Sequence, residues 1–133
     1  MFGVEFNLKN NEKILEIKSP KKLVKGPYAV VYNPYAEGHK DQRWVIVAFD
    51  WYNEPRLGIR WFWEKNGFPN SRGIPTWFVI PPMLVESILN DLHLDAHFRD
   101  NLNQFLEGKI SGEQLKKKIF AFITLKKMLP LHF

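Results

Sequence analysis

The hydrophobic period of this chain changes once, at Pro81 and Pro82, and that change fixes the class of fold. Before it, apolar residues recur at every second position, as in Val4, Phe6 and Leu8, which is the spacing of a half-buried strand. After it, Leu84, Val85, Ile88, Leu89 and Leu92 recur at the spacing of one helical face. Strands followed by helices imply an α+β fold, with the helices segregated to one face of an antiparallel sheet. The expectation is a single domain over residues 1–133. Residues 1–81 form a sheet of about five to six strands, and residues 82–133 form three helices packed on one of its faces.

The strands can be placed by composition. An N-terminal hairpin is expected from the alternation at 4–8, a turn at Asn10 and Asn11, and an extended pattern from Ile14 to Ile17. Residues 19–27 hold Pro20, Gly26 and Pro27 and read as connection; 28–32 is a short strand. The centre of the sheet is a second hairpin, RWVIVAFDWY at 43–52 and LGIRWFWE at 57–64, with its turn over residues 53–56. A further strand is expected at 76–80.

The helices carry their own punctuation. Proline is tolerated in the first turn of the first helix. Asp95 caps a second, whose stripe is Phe98, Leu102, Phe105 and Leu106, and Gly108 ends it in the left-handed region. Ser111 with Gln114 forms a capping box for a third helix. That helix buries Leu115, Ile119, Phe122 and Ile123 and stops at Pro130.

The central strands are apolar on both faces. A strand with one face in water should alternate apolar and polar residues, and these do so poorly. Three helices cover one face. The other needs a curled-over N-terminal hairpin, a second subunit or a ligand, and a homodimer is one expectation.

Two places draw attention as sites. On one strand face, Asp50, Tyr52, Arg60 and Glu64 are grouped with Trp44 and Phe62. Buried charges occur when paired or ligating, so this is either a structural Arg–carboxylate pair or an aromatic-walled pocket in which Arg60 holds an anion or amide. The second place is the ten-residue loop 66–75, longer than an ordinary hairpin connection. Asn70, Ser71 and Arg72 at its tip offer directed donors beside tryptophan surface, with Trp61 and Trp77 on the flanking strands. The alternative is a solvated loop stiffened by its prolines.

Other motifs are weaker. His93 and His97 have a zinc-compatible spacing, but Asp95 breaks the helix between them, so no metal site is expected. Lys116, Lys117 and Lys118 spread round their helix and form no single phosphate-binding ridge. No serine has the context of a nucleophile, and no glycine-rich phosphate loop exists. Acid–base chemistry through Asp50, Glu54 or Glu64 remains the one enzymatic reading, and no cofactor is expected.

Composition narrows the classes further. The chain has 133 residues, 45% of them apolar, 15% aromatic and none cysteine. That composition suits a folded globular domain, and the lack of thiols removes disulfides and thiolate chemistry. The net charge of +5 is spread along the chain, with no basic arm that would grip nucleic acid alone. No apolar run is long enough to cross a bilayer and no leader pattern is present, so a cytoplasmic protein without a membrane partner is expected.

The segment LGIRWFWEKNGFPNSRGIPTWFVIP, residues 57–81, resembles a stretch of small uncharacterised bacterial proteins, including ones carried on integron gene cassettes. The resemblance implies a bacterial, cytoplasmic accessory protein. It assigns no activity, cofactor or residue.

The leading expectation is a non-enzymatic binding module, homodimeric, taking a small molecule or a protein on an aromatic and arginine-lined surface within residues 44–77. Its named residues are Arg60, Trp61, Asn70, Ser71, Arg72, Trp77, Asp50 and Tyr52. The alternatives are a nucleic-acid binder that stacks bases on aromatics, and a small acid–base enzyme.

Overall fold

The computed structural model describes residues 8, 10–63 and 67–128. Its element order is α1 (Asn11–Ile14), β1 (Val24–Tyr32), a 3-10 turn (Tyr35–Glu37), β2 (Trp44–Trp51), β3 (Glu54–Trp61), β4 (Asn70–Ser71), β5 (Ile74–Pro75), β6 (Phe78–Val79), α2 (Pro82–Leu92), α3 (Ala96–Leu106) and α4 (Gly112–Met128). The main sheet is antiparallel in the order β1-β2-β3-β6, and β4 with β5 makes a separate two-stranded hairpin. The fold is therefore α+β, with strands in the first two-thirds and three helices after them.

Burial on both faces of β2 drives this arrangement. Ile46 and Ala48 look towards the helices, where they join Ala29, Val31, Leu57, Leu89, Leu102, Phe105 and Leu115 in one core. Val45, Val47 and Phe49 look the other way, into a second core with Leu8, Ile14, Ile17, Phe62 and Trp77. The second face is thus covered by the chain itself: Leu8, Ile14 and Ile17 pack across it and Trp77 closes it. Trp77 Nε1 donates to the Ile17 carbonyl at 2.8 Å, and Thr76 Oγ1 donates to the Ser19 carbonyl at 2.6 Å.

The N-terminal hairpin expected from composition is not what forms. Of its first arm only Leu8 lies within the described residues. Its second arm begins as the one-turn helix α1, because Asn10 acts as N-cap and its side chain accepts from the Lys13 amide. Ile14 and Ile17 lie one turn apart, so both reach the same core. The expected connection at 24–27 belongs instead to β1. Gly26 there takes φ +89°, and the register shifts between Lys25 and Ala29. An edge strand tolerates the proline that follows, since its missing N–H owes nothing to a neighbour.

The helices follow their caps. Asp95 accepts from the amides of His97 and Phe98, and Ser111 and Gln114 form the reciprocal capping box. Gly108 takes φ +77° just past α3. Leu115 is buried on α4, but Ile123 is exposed, contrary to the expected stripe, because α4 runs past the edge of what it covers. Pro130 lies outside the described residues. Among the described residues no helix is long and apolar enough to cross a membrane.

Candidate functional site

The geometry of the site starts at a turn. β2 and β3 are joined by Tyr52 and Asn53, with φ of +53° and +65°, a two-residue connection of the kind whose twist suits a hairpin. The expected turn at 53–56 is therefore too late, and β3 begins at Glu54. The tight turn sets the register, with Val45 opposite Arg60 and Asp50 opposite Pro55. Cross-strand partners share a face, and every even-numbered residue of β2 is paired with an odd-numbered residue of β3. Arg60 therefore lies on the face opposite to Asp50, and the expected cluster of Asp50, Tyr52 and Arg60 does not exist.

Asp50 belongs to the helix side. Its Oδ2 accepts from the Tyr28 hydroxyl at 2.7 Å, and the Tyr28 ring meets Phe105 edge-on at 5.8 Å. Burial, then the hydrogen bond to Asp50, raise the Tyr28 phenol well above its ordinary range. Tyr52 is exposed at the turn, at the far end of the sheet from the 70–75 hairpin. Glu64 lies outside the described residues.

Arg60 is a brace. It is 1% exposed, and its Nη1 donates to the carbonyls of Pro69 at 2.8 Å and Thr76 at 2.7 Å. The guanidinium also lies over the Phe62 ring, 5.1 Å from its centroid. Burial lowers its pKa to about 10, so it stays charged at neutral pH. A fork of donors of fixed geometry suits carbonyls held on two separate segments. Here it holds both ends of the loop, so ligand binding is not the role its contacts show. Trp77 is likewise buried, 3% exposed.

The loop itself is a structured hairpin. Phe68 exchanges two backbone hydrogen bonds with Trp61, both 2.8 Å. Asn70 and Ser71 pair with Pro75 and Ile74 around a turn of Arg72 and Gly73, whose φ values are +52° and +79°. Asn70 Nδ2 donates to the Gly67 carbonyl at 2.7 Å. Asn70, Ser71 and Arg72 are exposed, as expected, but Asn70 is committed to its own loop.

What the structure brings together is an aromatic platform. Trp61, Phe68 and Phe78 are 36%, 52% and 51% exposed. Trp61 is the backbone partner of Phe68, and its ring lies 6.2 Å from that of Phe78, edge-on. Cross-strand partners point to one face, so the three side chains share a side of the sheet's end. Trp44, opposite Trp61, and Tyr32, 5.5 Å from Trp44, continue the row inward. Nearby, Arg43 lies between the rings of Tyr35 and Trp63, at 5.2 and 5.7 Å.

Sequence reasoning selected Trp61 for this surface and missed Phe68 and Phe78. The signal was present in TWFVI: adjacent strand residues face opposite ways, so once Trp77 enters the core Phe78 must leave it. His93 caps the end of α2 and His97 lies in the first turn of α3, so they share no helix face. Among the described residues no group of three metal-ligating side chains forms. Comparison with protein-family models, curated proteins and solved structures finds no match to this chain.

Proposed function

We propose that the chain is a non-enzymatic binding module of the bacterial cytoplasm whose partner is a second copy of itself, docked through Trp61, Phe68 and Phe78. The exposed aromatic platform carries this reading. Single exposed apolar residues are ordinary on a protein surface, but a contiguous aromatic patch marks an interaction site. Aromatic residues are enriched and charges depleted at the centre of interfaces, and this patch holds three rings and no charge. Asn70, Ser71 and Arg72 stand beside it and suit a polar rim. A twofold axis sets the same patch against itself. The lack of cysteine and the resemblance of residues 57–81 support the cytoplasmic and bacterial parts of the reading.

Sedimentation equilibrium at high micromolar concentration tests it. The expected result is a dimer mass, reduced to a monomer by Phe68→Glu with Phe78→Glu, both surface changes that leave the core intact. A monomer mass for the unaltered chain overturns the proposal.

The same open rings favour a second reading, stacking on the bases of a single-stranded nucleic acid. Its test is the affinity for an oligonucleotide against salt. Phosphate contacts make the logarithm of affinity fall linearly with that of salt concentration, and Trp61→Ala should weaken binding further. Binding that is absent at low salt removes this second reading.

A further inference from the structure

We infer that the cleft between β1, α3 and α4 binds a small monocarboxylate with an apolar body. The cleft encloses about 300 Å³, the lower end of the range of ligand pockets. Its walls are apolar: Val30 and Val31 from β1, Phe98 from α3, Ile119 and Ile123 from α4. It is built from elements other than those of the aromatic platform.

Its polar groups are few and specific. Asn101 lines the cleft and is 4% exposed, and its side chain makes no hydrogen bond to any described residue. Its amide reaches the open cleft rather than being sealed from it, so a ligand seated there can supply an acceptor for the NH2 group. Lys126 lies at the same cleft, its ammonium 5.5 Å from the centroid of the Phe122 ring. His97 packs on that ring at 4.3 Å, tilted by 30°. The carboxylate of Asp95 also lines the cleft, but its Oδ1 is committed to the amides of His97 and Phe98. Its negative charge turns an anionic head away from the start of α3 and towards Lys126. A carboxylate so placed accepts from the Asn101 amide and from the Lys126 ammonium, a charge-assisted pair, while the apolar body fills the space between Val30 and Ile123. An amine head would meet Lys126 as a like charge. An alcohol would gain the amide contact alone.

Calorimetric titration of the full chain with octanoate, octanol and octylamine tests this. Octanoate should bind at least about tenfold more tightly than either analogue, a difference of about 1.4 kcal/mol. Lys126→Met, a surface change, should remove that preference and leave octanol affinity unchanged. Asn101→Leu should weaken octanoate binding, with its thermal melt as the check on folding; if it fails to fold, the Lys126 variant decides alone. Phe78→Glu should change nothing, which separates this cleft from the aromatic platform. Equal affinity for all three probes overturns the proposal, as do an unchanged preference in Lys126→Met and no saturable octanoate binding at millimolar concentration.

Discussion

Gly112, the first residue of α4, lies flat against the ring of Tyr28, so that a methyl group at its Cα would overlap the ring carbons. The contact seats the start of α4 on β1, and it places the Tyr28 hydroxyl on Asp50 of β2. One glycine thereby sets the approach of a helix to two strands.

Gly112→Ala should therefore destabilise the protein, although alanine is the better helix former in most settings. Forcing a methyl into a filled space typically costs about 1–3 kcal/mol. Urea denaturation gives the value, and Gly73→Ala is a useful contrast. Nothing lies within 4 Å of the Cβ position there, so only its positive φ opposes the change.

Tyr28 makes stability depend on alkaline pH. Its phenol titrates higher in the folded chain than in the unfolded one. The unfolded state therefore loses this proton first, and the stability the group contributes, complete below about pH 10, is lost as pH rises further. Tyr28→Phe should be less stable at pH 7, where the hydrogen bond to Asp50 is worth about 1.5–3 kcal/mol. The gap between the two proteins should narrow above pH 10. Melting curves from pH 7 to 11 follow it, and a gap that is constant or widens contradicts the assignment.

Arg60 and Arg72 should behave oppositely. Arg60→Met leaves the Pro69 and Thr76 carbonyls without this donor, and a buried acceptor left unsatisfied costs about 1–3 kcal/mol. Arg72→Ala changes an exposed turn residue and should shift stability by no more than about 0.5 kcal/mol. Thermal melts of the two variants compare them directly.

The β2–β3 turn is not at its optimum. Tyr52 holds φ +53°, where a residue with a bulky Cβ is rare, whereas Asn followed by Gly is the favoured pair for such a turn. Replacing Tyr52→Asn together with Asn53→Gly should raise stability by about 1 kcal/mol through relief of left-handed strain, less the edge-on contact of Tyr52 with Trp51 at 5.5 Å and the extra chain entropy that a glycine gives the unfolded state. A shift in the denaturant midpoint at constant slope measures the gain.

Much of the fold was legible where local chemistry and tertiary need agree. The caps at Asp95 and Ser111, the left-handed Gly108 and the central hairpin follow from residues within a few positions of each other. Asn10 to Ile17 was misread because two turns of chain are too few to separate the two periods. The strand extending back through Gly26 and Pro27 was missed because an edge position, invisible in sequence, is what makes the proline acceptable. The expected grouping of Asp50 with Arg60 fails on pairing parity: whether the turn lies over 53–56 or at Tyr52 and Asn53, even-numbered residues of β2 sit opposite odd-numbered residues of β3, so the two side chains face opposite ways. Arg60 goes instead to the carbonyls of Pro69 and Thr76. Asn101 carried no signal at all, since its burial depends on how α3 meets α4.

Trp77 reaches back 60 positions to the Ile17 carbonyl, and this has a consequence for how the chain is made. Until that tryptophan leaves the ribosome, the face of β2 bearing Val45, Val47 and Phe49 lacks part of its cover. At roughly 5–20 residues per second, the interval lasts seconds, long enough for a nascent β2–β3 hairpin to meet another chain or a chaperone. Closure of this core is then set by the arrival of a distant residue rather than by the hairpin's own speed, and a ribosome pausing before Trp77 would lengthen the exposure.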